Sequence, residues 1–144
     1  MFLNKCVAIE FNKNEISTSE QLKHNFRIDG DFVRVSVLDS RPMLLVRWHG
    51  GNRLVFWGNS EFFHCKKESL AAGKWANMQP ELVEIIANRA QSHGTWFQVK
   101  EGIRGVLVKI RGVEQCFVLT EPSTHYFKTM THAERMAVLV GQVI

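Results

Sequence analysis

The sequence contains few cysteines, and their number and spacing argue against a disulfide framework. The 144 residues include only Cys6, Cys65 and Cys116, and no Cys-x-x-Cys pair occurs. An odd number of widely spaced cysteines is typical of proteins that stay in a reducing compartment. We therefore expect unpaired thiols and a cytoplasmic protein.

Long apolar stretches are missing as well. No apolar run in the sequence approaches the roughly 20 residues that a membrane-spanning helix needs. The opening residues, MFLNKCVAIEFNKNE, contain too short an apolar run for a signal peptide and no small-residue cleavage site. The sequence therefore predicts neither a membrane partner nor export.

The common motifs of metal sites and hydrolases are also absent. The sequence has no G-x-S-x-G, no H-E-x-x-H and no phosphate-binding G-x-x-x-x-G-K. Its six histidines do not combine with each other or with cysteine at zinc-binding spacing. We therefore expect no metal and no cofactor.

The composition predicts one folded domain over residues 1–144. The hydrophobic fraction is 45% and the charged fraction 22%, and both are ordinary for a globular protein with a substantial core. Eighteen Lys and Arg residues against 14 Asp and Glu give a net charge of +4. A mild positive charge permits a nucleic-acid partner, although a surplus of solvated surface cations explains it equally simply.

Short apolar segments separated by turn residues predict a β-rich α+β fold. Two hairpins stand out, one around His49-Gly50-Gly51-Asn52 and one around Arg111-Gly112, because glycine supplies the positive φ that a tight turn needs. Short helices are predicted over residues 17–25 and 68–75. β-branched and apolar runs predict strands over residues 2–11, 32–38, 43–48, 53–57, 82–87, 96–100, 106–110 and 115–119.

Residues 117–140, FVLTEPSTHYFKTMTHAERMAVLV, hold a histidine and an arginine between two apolar runs. His132 could act as a general acid or base, although a single histidine beside an apolar run is more often structural. Residues 131–134 have the spacing of a helical capping box, which favours a helix. Residues 136–140 would be equally good as a buried strand, and periodicity does not decide between the two.

Aromatic and basic residues are interleaved along the chain. Four tryptophans lie close in sequence to lysines and arginines, as in proteins that stack bases on aromatic rings and pair phosphates with cations. The alternative is that most of these tryptophans belong to the core and the cations are solvated.

Residues 117–140 resemble the closing motif of the SRAP (SOS-response-associated peptidase) family, in which a strand ending in Thr leads through a short helical crossing to His-x-Arg-Met-Pro-Val. Here that signature reads His132 and Arg135-Met136-Ala137-Val138, with one extra residue and alanine in place of proline. Weaker matches run in family order from residue 54 to the C-terminus, and the whole resembles a short, phage-associated branch. These matches are Leu54-Val55-Phe56-Trp57-Gly58, His64-Cys65-Lys66-Lys67-Glu68-Ser69, Ile85-Ile86-Ala87-Asn88 and Trp96-Phe97-Gln98-Val99-Lys100.

The resemblance implies a barrel-like bifurcated sheet and a DNA-damage function in the SOS response. SRAP proteins attack abasic sites in single-stranded DNA with a cysteine that follows the initiator Met. This sequence has Phe2 at that position. Gln98 stands where the family has a supporting glutamate, and an amide cannot exchange a proton at neutral pH. His64 replaces an asparagine and Lys66 an arginine, so His132 alone is retained from the supporting set.

We therefore expect a catalytically degenerate SRAP-like domain that binds single-stranded or damaged (abasic) DNA without a covalent link. The alternatives are a phage or plasmid protein-interaction module, or a residual peptidase or lyase activity that uses Cys65 or Cys6 with His132. The degenerate catalytic positions are His132, Gln98 and His64. The predicted DNA-binding residues are Trp57, Lys66, Lys67, Arg89, Trp96, Lys100 and Arg135. The resemblance also favours a strand from Arg135 onward.

Overall fold

The structure, a computed structural model, describes residues 6–16 and 26–141. The predicted helix over residues 17–25 and Phe2 lie outside this part of the chain. Within it, twelve strands and two short α-helices are formed. No helix there is long and apolar enough to cross a membrane.

The helices are few and short, and most of the chain is in strands. The helices are α1 (Lys67–Ala71) and α2 (His125–Thr131), and two short 3-10 turns occupy Lys13–Glu15 and Ala76–Met78. The strands are β1 (Cys6–Asn12), β2 (Arg27–Asp29), β3 (Phe32–Ser36), β4 (Met43–Trp48), β5 (Gly51–Trp57), β6 (His64–Lys66), β7 (Glu81–Ile85), β8 (Arg89–Ser92), β9 (Thr95–Gln98), β10 (Ile103–Ile110), β11 (Val113–Pro122) and β12 (Arg135–Ala137).

Five strands close into a barrel. Their order is β10-β7-β4-β5-β11, and pairing between β10 and β11 closes the ring. The long strand β11 also carries β6 in parallel and β12 in antiparallel orientation. Closure leaves these five strands without an open edge, which explains how a short chain stabilises so much strand. The predicted α+β class with a barrel-like sheet is thereby confirmed.

The remaining strands form a second, open sheet in the order β2-β3-β1-β8-β9. Its inner face is apolar, with Val33, Val35, Ile9, Phe11 and Ala90 all buried in the main core. Successive side chains on a strand point to opposite faces. The outer face therefore receives the polar and charged residues of the same strands, and it carries the candidate site described below.

The hairpin turns confirm the glycine-based predictions and add one that the sequence reading missed. His49-Gly50 and Arg111-Gly112 both have positive φ at each residue, from +49° to +80°, as a two-residue type I′ turn requires. The first loop is thus two residues long, shorter than predicted. His93-Gly94 makes the same turn between β8 and β9.

Helical segments are shorter than the sequence suggests. The predicted helix over residues 68–75 ends at Ala71, and Gly73 then adopts a positive φ of +77°. The capping-box interpretation of residues 131–134 is wrong, because Thr131 ends α2 and its hydroxyl donates to the Phe127 carbonyl oxygen. The start of α2 is capped instead by Thr124, whose hydroxyl oxygen accepts from the Phe127 amide.

The closing segment becomes a strand, as the family resemblance favours. β12 pairs with the end of β11, with Thr120 opposite Ala137. Beyond β12, Leu139 makes an isolated bridge to Ile103 on β10. Pairing with β11 therefore makes this segment a strand, whereas its apolar pattern alone did not distinguish a strand from a helix.

Candidate nucleic-acid interface

A row of polar side chains crosses the outer face of the open sheet. The register places Glu10 of β1 opposite Arg34 of β3 on one side and Arg89 of β8 on the other. Arg89 is in turn opposite Gln98 of β9. Directly opposed residues share a face, so Arg34, Glu10, Arg89 and Gln98 stand side by side.

Glu10 is the buried centre of this row. Its side chain is only 3% exposed, and both carboxylate oxygens are paired. Arg34 donates to one oxygen from Nε at 3.2 Å and from a terminal nitrogen at 2.9 Å, and Arg89 donates to the other at 3.3 Å. A buried carboxylate is tolerated because these charge-assisted bonds replace water.

Trp96 lies over the same pair of arginines. The guanidinium carbons of Arg34 and Arg89 lie 5.0 Å and 5.2 Å from the centroid of its ring. Both distances suit cation–π contact. Trp96, Arg34 and Arg89 are each partly exposed, so part of each side chain is in contact with solvent. We call these four residues, Trp96, Arg34, Arg89 and Glu10, the tryptophan–arginine platform.

The platform can bind two chemical features at once. A partly exposed indole offers a surface on which a planar base stacks, and a guanidinium fork offers paired donors to a phosphate. Glu10 fixes both arginines, which lowers the entropy lost when they bind. Sequence reasoning found Arg89, Trp96 and Gln98 but missed Glu10 and Arg34. Their signal lies in strand register, which a single sequence does not display.

His132 sits at the other end of the β8–β9 hairpin. It directly follows the last residue of α2 with a left-handed φ of +59°, and its side chain is exposed. Its carbonyl oxygen is 3.2 Å from Nδ1 of His93, which donates when that nitrogen is protonated. Helix α2 is held by Phe127, whose ring meets Phe97 edge-on at 5.0 Å. His132 therefore has a backbone contact at a turn, in place of the enclosed surroundings expected of a general base.

The three predicted catalytic positions lie on separate elements of the fold. His64 is partly buried on β6, where its Nε2 contacts the carbonyl oxygen of Cys6. Gln98 is exposed beside Arg89 on the open sheet. Among residues 6–16 and 26–141, no hydrogen bond joins His132 to either of them.

Arg135 is a structural cation. Its two terminal nitrogens each lie 2.9 Å from a carboxylate oxygen of Glu68, and the guanidinium also donates to the hydroxyl and carbonyl oxygens of Thr120. These bonds to Arg135 lower the pKa of Glu68 to about 2. The Arg135 side chain is 15% exposed, so its charge serves the junction of β12, β11 and α1.

Trp57 belongs to the core. It is 1% exposed, and its Nε1 donates to the Phe63 carbonyl oxygen at 3.1 Å. With so little of the ring exposed no base can stack on it, so the predicted DNA contact at Trp57 is not available in this fold.

The predicted lysines are all on the surface. Lys66, Lys67 and Lys100 are exposed, and Lys67 lies 3.8 Å from Glu121. Lys66 and Lys67 lie where β6 meets α1, whereas Lys100 follows β9. Of these three lysines, only Lys100 therefore lies close in sequence to Trp96 of the platform.

The thiols are unsuited to nucleophilic chemistry. Cys6, Cys65 and Cys116 are all buried, with at most 1% exposure. Burial raises the pKa of Cys6 to about 12 and that of Cys65 to about 11, and it raises the pKa of Cys116 further still. A thiolate is the reactive form, and none forms appreciably at neutral pH with these values.

No family model, curated protein or solved structure matches this chain. The site is therefore interpreted from its own chemistry. Among residues 6–16 and 26–141, no group of three His, Cys, Asp or Glu side chains is arranged to hold a metal ion.

Proposed function

We propose that this protein binds single-stranded DNA non-covalently, with the tryptophan–arginine platform as the contact surface. The observation that carries the proposal is the partly exposed Trp96 ring with two guanidiniums against it, both fixed by one buried carboxylate. Stacking on a ring and pairing with fixed cations are the two interactions by which proteins bind single strands without reading their sequence.

The resemblance to the SRAP family supports the same class of ligand. Segments that the resemblance matches in separate parts of the sequence are neighbours in the fold. β6 pairs with Val118–Thr120 of β11, and β12 pairs with Thr120–Pro122 of the same strand. Glu68 and Arg135, which belong to two of those segments, form a bidentate pair. A shared ancestry would account for that arrangement.

The state of the thiols supports non-covalent binding over the residual-enzyme alternative. That alternative needs Cys65 or Cys6 to be activated by a histidine within about 3 Å. Both thiols are buried with raised pKa values, and the hydrogen bonds of both go to backbone carbonyl oxygens. His132 is an exposed residue at the end of α2.

The salt dependence of binding tests this proposal. A fluorescent single-stranded oligonucleotide is titrated with protein at several salt concentrations from about 50 to 200 mM, and the affinity is read from anisotropy. Each phosphate neutralised contributes about 0.7 to the slope of log affinity against log salt. We expect Arg89→Ala to weaken binding and to lower that slope by about 0.7.

Arg47→Ala is the matched control. Arg47 is 50% exposed and paired with Glu84 at 3.0 Å, as Arg89 is 43% exposed and paired with Glu10 at 3.3 Å, but Arg47 lies on the barrel. Both variants lose one positive charge. If the two variants lower affinity equally, the platform is not the contact surface. If the wild-type protein does not bind at the lowest salt, the proposed function is wrong and the protein-interaction alternative takes its place. An oligonucleotide with one abasic site tests whether damage strengthens binding.

A further inference from the structure

A loop beside the open sheet separates two clefts that the platform does not use. The clefts have volumes of about 610 Å³ and 520 Å³, and both are lined by Asp39, Ser40, Arg41, Pro42 and Phe56. Volumes of this size are typical of small-ligand sites. Of the residues predicted from sequence, only Trp57 lines either cleft, so these clefts were not anticipated.

The larger cleft connects this loop to the platform. Arg34 lines it together with Arg27, so one residue of the platform also lines this cleft. Arg27 is held by Asp39 at 2.7 Å, and the second carboxylate oxygen of Asp39 accepts from the Ser36 amide at 2.8 Å. Two arginines, each paired with a carboxylate, therefore line the cleft between the platform and the loop.

One residue that lines the smaller cleft carries an unsatisfied polar atom. Gln115 of β11 lines it, and its Oε1 is buried with no hydrogen-bond partner among the described residues. A buried acceptor without a donor is destabilising, and a bound ligand that supplies the donor is one way in which a native structure satisfies such an atom. Of the aromatic residues that line it, Phe56 is partly exposed, whereas Trp57 and Phe63 are buried.

Arg41 lines this cleft and has an unusual backbone conformation. It is exposed, its guanidinium carbon lies 4.9 Å from the centroid of the Phe56 ring, and none of the described carboxylates pairs with it. Its φ is +52°, and Ser60 on the opposite wall has a φ of +76°. Residues other than glycine rarely adopt such φ values, and those that do are found most often at binding sites.

We infer that the smaller cleft binds one nucleotide. The heterocycle enters beside the partly exposed Phe56 ring and donates an N–H to Oε1 of Gln115, which turns toward the cleft on binding, while its phosphate meets Arg41. In a bound strand, the next phosphates follow the larger cleft toward Arg34, which makes the cleft an extension of the interface under "Proposed function". This inference rests on that function for the strand, although a free nucleotide offers the same chemistry.

Mononucleotides and nucleosides distinguish the parts of this inference. Isotope-labelled protein is titrated with dAMP, dGMP, dCMP and dTMP, and with the matching nucleosides, while NMR follows the Gln115 side-chain amide and the residues around the cleft. We expect saturable shifts at millimolar nucleotide. Gln115→Met removes the acceptor at similar size and should weaken binding of nucleotide and nucleoside alike, by about tenfold. Arg41→Asn should weaken the nucleotide alone, because nucleosides lack the phosphate.

Arg111→Asn is the matched control for Arg41→Asn. Arg111 is also exposed and also has a φ of +52°, and it lines neither cleft. Asparagine tolerates this φ better than most residues, so both variants should fold. An effect of Arg111→Asn equal to that of Arg41→Asn would overturn the inference, as would unchanged binding in Gln115→Met.

The oligonucleotide titration, run on the same variants, separates this inference from the proposed function. If the oligonucleotide binds and no mononucleotide shifts the NMR signals of the residues around the cleft, the cleft inference fails and the proposed function stands. If mononucleotides bind and the oligonucleotide does not, the proposed function fails and the cleft is a site for free nucleotides.

Discussion

Glu10→Gln is the substitution that most sharply tests how the platform is built. The change keeps the size and shape of the side chain and removes its charge. In the wild-type protein the carboxylate accepts three hydrogen bonds from Arg34 and Arg89. The amide can accept on one side only, and its NH2 group would face a guanidinium on the other. Two cations would then lie near one ring with no anion between them.

The cost follows from the exposure of the three side chains. Removing one partner of a fully buried ion pair costs roughly 3–5 kcal/mol, whereas an exposed pair contributes less than about 1 kcal/mol. Glu10 is 3% exposed, but Arg34 and Arg89 are 35% and 43% exposed, so water partly relieves their repulsion. We therefore expect a loss of about 3 kcal/mol. For a domain of this size that lowers Tm by roughly 6–12 °C.

Urea unfolding followed by circular dichroism, together with a thermal scan, measures this loss. Asp31→Asn is the matched control, because it also converts a paired carboxylate to an amide. Asp31 is 79% exposed and 3.8 Å from Lys13, so its change should cost less than about 1 kcal/mol. If Glu10→Gln costs no more than Asp31→Asn, the carboxylate does not organise the platform and our account of its burial is wrong.

Three further predictions concern residues outside the platform. Trp57→Phe should lower stability by roughly 2–3 kcal/mol in urea unfolding, because it loses the bond to Phe63 and leaves a cavity, while DNA affinity at matched folding stays unchanged. The pKa of Glu68 is lowered to about 2 by Arg135, so this pair stabilises the fold above pH 4.5 and the contribution disappears as the pH falls from 4.5 through 2; Glu68→Gln should flatten that part of the stability profile, and an unchanged profile would contradict the assignment. The three cysteines should resist a disulfide reagent at pH 8 until denaturant is added, and rapid labelling of the native protein would show that a thiol is accessible.

The local features that the sequence displays directly were predictable. Glycine-containing turns such as Arg111-Gly112 require positive φ, and that requirement is visible in the sequence. Strand positions followed from β-branched and apolar runs, with ends that moved by a few residues. Strand β8, with only the short segment Arg89–Ser92, escaped detection because four residues carry too little pattern.

The features that depend on pairing between distant strands were not predictable from composition or spacing. Glu10 and Arg89 are neighbours only because β1 pairs with β8 in one register, and Gln115 faces a cleft only because β11 runs beside β5. Trp57 is buried because it lies, with Val55, on the side of β5 that faces the main core. Exposure and register, more than residue type, therefore separate the useful site predictions from the mistaken ones.

The affinity of Trp96→Leu for single-stranded DNA tests the central claim most directly. Trp75→Leu is the control, because Trp75 is also partly exposed but packs on Phe117 of the barrel, with ring centroids 5.0 Å apart. Stacking of one base contributes roughly 1–3 kcal/mol, so Trp96→Leu should weaken binding by about fivefold to a hundredfold while Trp75→Leu leaves it near the wild-type value. Equal affinity of wild-type protein and Trp96→Leu would contradict the account.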